Sequence, residues 1–155
     1  LKILNTYIEK YPEIDVFYSP CLVTEDEKHK SYSRIYEWPD FSKKELLKRC
    51  ICGPFPLVNR LSAIDVGLFN PDFTISGDYE MWLKMASKGK RFMKIKEPIG
   101  GYYINPSGIS TDPKTLNEHL LEDEKIRQLY GASINKGPEK ENLFHSIKNY
   151  LKAKK

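Results

Sequence analysis

The segment Ser76-Gly77-Asp78-Tyr79-Glu80-Met81-Trp82 sets two carboxylates in what reads as the first turn of a helix, just after a glycine. A carboxylate in that place meets the free N–H groups and partial positive charge of the helix end, which keeps it ionised. If the turn borders a cleft, ionised Asp78 is able to accept a proton from an attacking hydroxyl. Asp is also a common capping residue, and the two roles are compatible because a capping carboxylate keeps a second oxygen. Gly53-Pro54-Phe55-Pro56 supplies a rigid wall, since proline fixes φ and glycine lets a ligand approach the backbone; a plain loop is the alternative. Tyr102, Tyr103 and Trp82 have ring faces suited to stacking on sugars, although such spacings also read as core, Trp82 above all.

Other chemistries lack their signatures. No Gly-rich phosphate loop, Gly-x-Ser-x-Gly elbow, His-Glu-x-x-His helix or Cys-His nucleophile pair occurs, so a self-contained hydrolase, kinase or dehydrogenase is not expected. His29, His119 and His145 lie far apart and are assigned neither to metal nor to catalysis. Cys21, Cys50 and Cys52 are an odd set whose Cys-x-Cys pair is too tight for ordinary zinc ligation. They read as reduced thiols in a cytosolic setting.

The helix that has to carry Asp78 is the best marked in the chain. Tyr79, Trp82, Leu83 and Ala86 fall at i, i+3, i+4 and i+7, and Lys88-Gly89 ends the pattern. Upstream, Leu1, Leu4, Ile8 and Tyr11 read as the end of a helix stopped at Pro12. Residues 14–19 read as a buried strand that Leu22-Val23-Thr24 extends beyond a bend at Pro20. Residues 25–40 form a long aperiodic excursion with short strand pieces. Ser42 and Glu45 make a capping box for a helix bearing Leu46, Leu47 and Cys50; Leu57-Val58 is a short strand; residues 61–66 are a brief helix closed by a left-handed Gly67. Downstream, residues 92–95 and 99–104 are β-prone, and Asp112-Pro113 opens a long polar helix reaching about Tyr130. Leu143, Ile147 and Leu151 mark a last helix within 137–155. Helices alternating with few, short strands specify an α/β domain.

Length and composition agree with one such domain: 155 residues, 40% of them hydrophobic and 12% aromatic, supply a core. Acids and bases alternate and the net charge is only +4, so nucleic acid is not an expected partner. Lys148, Lys152, Lys154 and Lys155 read as a solvated tail. No apolar run approaches the roughly 20 residues of a membrane span, and no basic-then-apolar opening marks a signal peptide. The opening on Leu1 rather than Met reads as a chain whose upstream part is missing.

Taken in order, three segments resemble the C-terminal half of family-two glycosyltransferases, enzymes of the GT-A fold. They are Gly53-Pro54-Phe55-Pro56-Leu57-Val58-Asn59-Arg60, then Asp65-Val66-Gly67-Leu68-Phe69-Asn70-Pro71-Asp72-Phe73, then Ser76-Gly77-Asp78-Tyr79-Glu80-Met81-Trp82-Leu83-Lys84-Met85-Ala86. The family closes this region with a strand ending Tyr-x-x-His and then Ser, matched here by Tyr102-Tyr103-Ile104-Asn105-Pro106 with Ser107 or Ser110. Residues 1–19 resemble the helix and strand that follow the family's metal-binding Asp-x-Asp, so the likeness spans about residues 1–130.

The resemblance implies an inverting transferase that moves a sugar from a nucleotide-sugar donor to a glycan or lipid-linked acceptor hydroxyl. Asp78 matches the general base, and Gly53, Pro54, Trp82 and Tyr103 match contributors to the acceptor cleft or its walls. Residues 1–131 correspond to the acceptor-side part of a GT-A domain, and 132–155 to a C-terminal helix and Lys-rich tail. The nucleotide-binding half, with its Mn or Mg ligands, would precede Leu1. No metal ligand is assigned to this chain, and transfer by the fragment alone is not expected. The family's frequent His is Asn105 here. The expected setting is cytoplasmic, extending to the inner face of the membrane. Loss of the covering half implies exposed apolar surface and self-association. The rival class is a non-catalytic module of the same fold that binds a glycan or a protein.

Overall fold

Prolines and glycines cut the chain into short elements, and the computed structural model describes residues 2–28 and 30–130. In chain order these are α1 (Lys2–Lys10), β1 (Val16–Tyr18), β2 (Cys21–Thr24), β3 (Arg34–Tyr36), α2 (Lys43–Lys48), β4 (Leu57–Val58), α3 (Arg60–Asp65), α4 (Gly77–Ser87), β5 (Phe92–Lys94), β6 (Gly101–Tyr103) and α5 (Leu116–Leu129). The expected α/β class holds. Its strands divide into two mixed three-stranded sheets, ordered β4-β1-β5 and β3-β2-β6.

The split corrects one expectation. Residues 22–24 do not extend β1; they belong to β2, which pairs antiparallel with β3 and parallel with β6. Pro20 is the physical reason, because it has no N–H to continue a ladder. After Tyr18 the chain therefore leaves the first sheet and starts a second. In the first sheet β1 pairs antiparallel with β4 and parallel with β5.

The core lies around β1, β5, α2 and α4. Tyr79, Met81, Trp82, Leu83 and Met85 of α4 are buried against Val16, Tyr18, Leu46, Ile51 and Phe92. Each buried apolar side chain of this size contributes about 1.5–3 kcal/mol. Phe41 and Phe92 stack with centroids 4.4 Å apart, and the Tyr18 hydroxyl donates to the Pro39 carbonyl at 2.8 Å, tying the 25–40 excursion to β1. Caps behave largely as their residue types require. The Glu45 N–H donates to Ser42 Oγ, and Asn59 Oδ1 caps α3 by accepting from Leu61 and Ser62. Gly67 and Gly89 take left-handed φ of 90° and 76° at the ends of α3 and α4.

A second correction concerns α5, which begins at Leu116 and not at Asp112-Pro113. Asp112 instead closes a turn, with its carboxylate accepting from Lys114 N–H and its carbonyl from Thr115 N–H. A residue that satisfies its local backbone in a turn competes with the helix it would otherwise open. The expected helix within 137–155 lies outside the described residues. No described helix is long and apolar enough to cross a membrane.

Candidate functional site

Between the second sheet and the first turns of α4 and α5 lies a recess of about 250 Å³. Strand alternation determines its sheet side. Cys21 and Val23 of β2, Arg34 and Tyr36 of β3, and Tyr102 of β6 share one face, because Cys21 registers with Tyr36 and Val23 with both Arg34 and Tyr102. Gly53 and Pro54 form another part of the wall beside Trp38. Ser76, Asp78, His119 and Asp123 complete it from the helices.

Of the residues picked out by sequence, the fold thus brings Asp78, Gly53 and Pro54 together. Trp82 does not join them: it is 2% exposed, in the core. Tyr103 is not among the lining residues either, since its neighbour Tyr102 takes the recess-facing position. Of the two serines proposed to follow the last strand, Ser110 lines the recess, whereas the Ser107 N–H donates to Asn105 Oδ1 in the turn.

Gly53 has a specific task. Its φ is +64°, and a Cβ there would stand 2.4 Å from Trp38 Nε1. A side chain would collide with the indole, so only glycine permits this approach at unstrained φ.

The segment leading into α4 is anchored by α5. Glu122 accepts N–H bonds from Thr74, Ile75 and Ser76 and the Thr74 hydroxyl, all between 2.7 and 3.0 Å. Burial works to raise this carboxyl, but the hydrogen bonds outweigh it and hold it below the ordinary range. The Ser76 hydroxyl makes no cap bond to α4; it donates to Asp123 Oδ1 at 2.7 Å. Asp123, itself buried, also lies 3.6 Å from His119 Nε2 and 3.7 Å from Arg127.

Asp78 is placed differently from the other acids. Its side chain reaches solvent, yet protein surrounds the recess, and against the expectation that the helix end keeps it ionised this desolvation raises the carboxyl above the usual carboxylate range. The N–H of Tyr79, 2.7 Å from Oδ1, opposes the shift; the charge of Asp123 adds to it, and His119 lowers it. Glu80, in the same turn, is 3% exposed and committed inside the fold, accepting from Tyr130 Oη at 2.7 Å and pairing with Lys84 at 3.1 Å. Asp78 alone of this pair is available to solutes.

The three cysteines are free. Burial pushes the Cys50 thiol, which lines the recess, far above its ordinary range, and raises Cys21 and Cys52 as well. A thiol so shifted is a poor nucleophile. Among the described residues no group of three or more His, Cys, Asp or Glu is placed to hold a metal ion.

Four contributors escaped the sequence reading. Tyr36 and Trp38 come from the aperiodic excursion, where no spacing marks them. His119 and Asp123 sit four residues apart on α5, a spacing that places them on one helix face and was the available signal. No protein-family model matches the chain, and no curated protein matches it.

Proposed function

We propose that the chain is the C-terminal, acceptor-side part of an inverting glycosyltransferase of the family-two, GT-A type, with Asp78 as general base. The observation that carries this reading is Asp78 itself: a solvent-accessible carboxylate with a raised pKa, at a recess whose wall includes Gly53 and Pro54. A carboxylate whose pKa is raised is a stronger base than an ordinary one.

In the reaction the acceptor hydroxyl gives its proton to Asp78. Its oxygen attacks the anomeric carbon of the nucleotide-sugar while the bond to the nucleoside diphosphate breaks on the opposite face. The leaving group takes the electron pair and configuration inverts. In this reading the donor and its Mn or Mg are held by sequence preceding Leu1, and this chain's own residues position the acceptor and move the proton.

The test is sugar transfer by the full-length parent with Mn²⁺ and a panel of nucleotide-sugar donors. Asp78→Asn is expected to lower kcat by about 10²–10⁴-fold, the usual contribution of a positioned base, while donor affinity is retained. A variant as active as the parent overturns the assignment. An inactive parent moves the reading to the non-catalytic binding module.

A further inference from the structure

The recess has an aromatic side that proton transfer leaves unused. Tyr36 and Tyr102 stand on its sheet face, each half-buried, and Trp38 lies beneath, packed edge-on to Tyr36 with centroids 4.6 Å apart. Asp78, His119 and Asp123 line the helix side of the same space.

We infer that the recess binds one pyranose ring, its C–H face stacked on Tyr36 and Tyr102 and its hydroxyls held by Asp78 and His119. That this ring belongs to the acceptor rests on the reading above; that the recess takes a sugar does not.

Two observations carry the inference. The first is size: about 250 Å³ is at the small end for ligand pockets, which suits one ring better than a chain of them. The second is the division of the walls. Sugar C–H bonds carry partial positive charge and meet the negative face of an aromatic ring, while carboxylates accept the hydroxyl protons and an imidazole N–H donates to the hydroxyl oxygens. A hydrocarbon of the same size would desolvate Asp78 and His119 without replacing their hydrogen bonds.

Trp38, 4% exposed, also lines the recess and serves as its reporter; its Nε1 packs against Gly53.

The chain contains two tryptophans, and their indole N–H signals can be followed by ¹⁵N correlation spectroscopy. Methyl glycosides of neutral hexoses, N-acetylhexosamines and hexuronic acids are titrated to about 50 mM, enough to saturate a millimolar site. The Trp38 signal, identified by its loss in Trp38→Phe, is expected to shift saturably with at least one glycoside while that of Trp82 stays in place. Tyr36→Leu and Tyr102→Leu are each expected to weaken binding about tenfold. If Trp38→Phe fails to fold, nuclear Overhauser contacts with Gly53 identify the signal and the tyrosine variants carry the test.

The inference is overturned if no glycoside shifts Trp38 saturably, if both tyrosine variants bind as the unaltered chain does, or if cyclohexanol binds as well as the glycosides. Its failure is separable from that of the catalytic reading. Glycoside binding beside a fully active Asp78→Asn parent removes the base and keeps the sugar site; the reverse pattern removes the sugar site alone.

Discussion

Glu80 spends its charge on Tyr130 and Lys84 inside the fold, while Asp78, two residues earlier, keeps a raised carboxyl in contact with solvent. The raised value has a cost in stability. Between the ordinary Asp pKa of about 3.9 and the higher folded value, the native state binds more protons than the unfolded chain, so stability falls as pH rises through that window. Asp78→Asn is therefore expected to raise Tm at pH 7, and the gain should vanish near pH 3, where both side chains are neutral. Thermal melts at the two pH values check this; a lower Tm at pH 7 would instead mark Asp78 as a structural cap. Asp78, Gly53 and Pro54 were legible because their chemistry is local: a helix end and a turn. The choice of Tyr102 over Tyr103 was not, because it depends on the register of β6 against Val23.

At the scale of elements, the site depends on α5 holding the start of α4. Glu122 gathers three consecutive N–H groups that precede the helix, a task ordinarily filled by a cap at the helix's own start. Glu122→Gln is expected to cost about 1–2 kcal/mol at pH 7, since it weakens charge-assisted bonds at a partly exposed site. Because folding lowers this carboxyl, its contribution is fully present above the ordinary Glu value of about 4.3 and is lost as pH falls through the lower folded value. Urea melts across that range should show the gap between variant and unaltered chain closing in acid. α4 was legible from periodicity, α2 from its Ser42 cap and α3 from Gly67, but α2 ends at Lys48 and leaves Cys50, expected on it, beyond its C-cap. The start of α5 was misplaced because Asp112-Pro113 satisfies a turn as readily as a helix end.

At the scale of the molecule, the α/β class followed from the alternation of patterns, but the division into two sheets did not, because it turns on which distant strands pair. One surface feature follows from the fold. Leu61, Ile64, Leu68 and Phe69 stand exposed on α3 and the turn after it, Leu61 at 74% and Phe69 at 60%. Apolar side chains so grouped favour contact with another surface. Sedimentation velocity is expected to show concentration-dependent self-association that Leu61→Lys with Phe69→Lys reduces; a monomer at all concentrations would refute it. The strand pairings also set the order in which the chain can be completed. Only β2 and β3 are near neighbours, whereas Val16 awaits Phe92 and Leu22 awaits Gly101. Loop closure on that scale slows folding. On the ribosome, β1 and β2 therefore each keep an edge open until the β5 and β6 residues have cleared the exit tunnel, a period in which another chain is able to pair there.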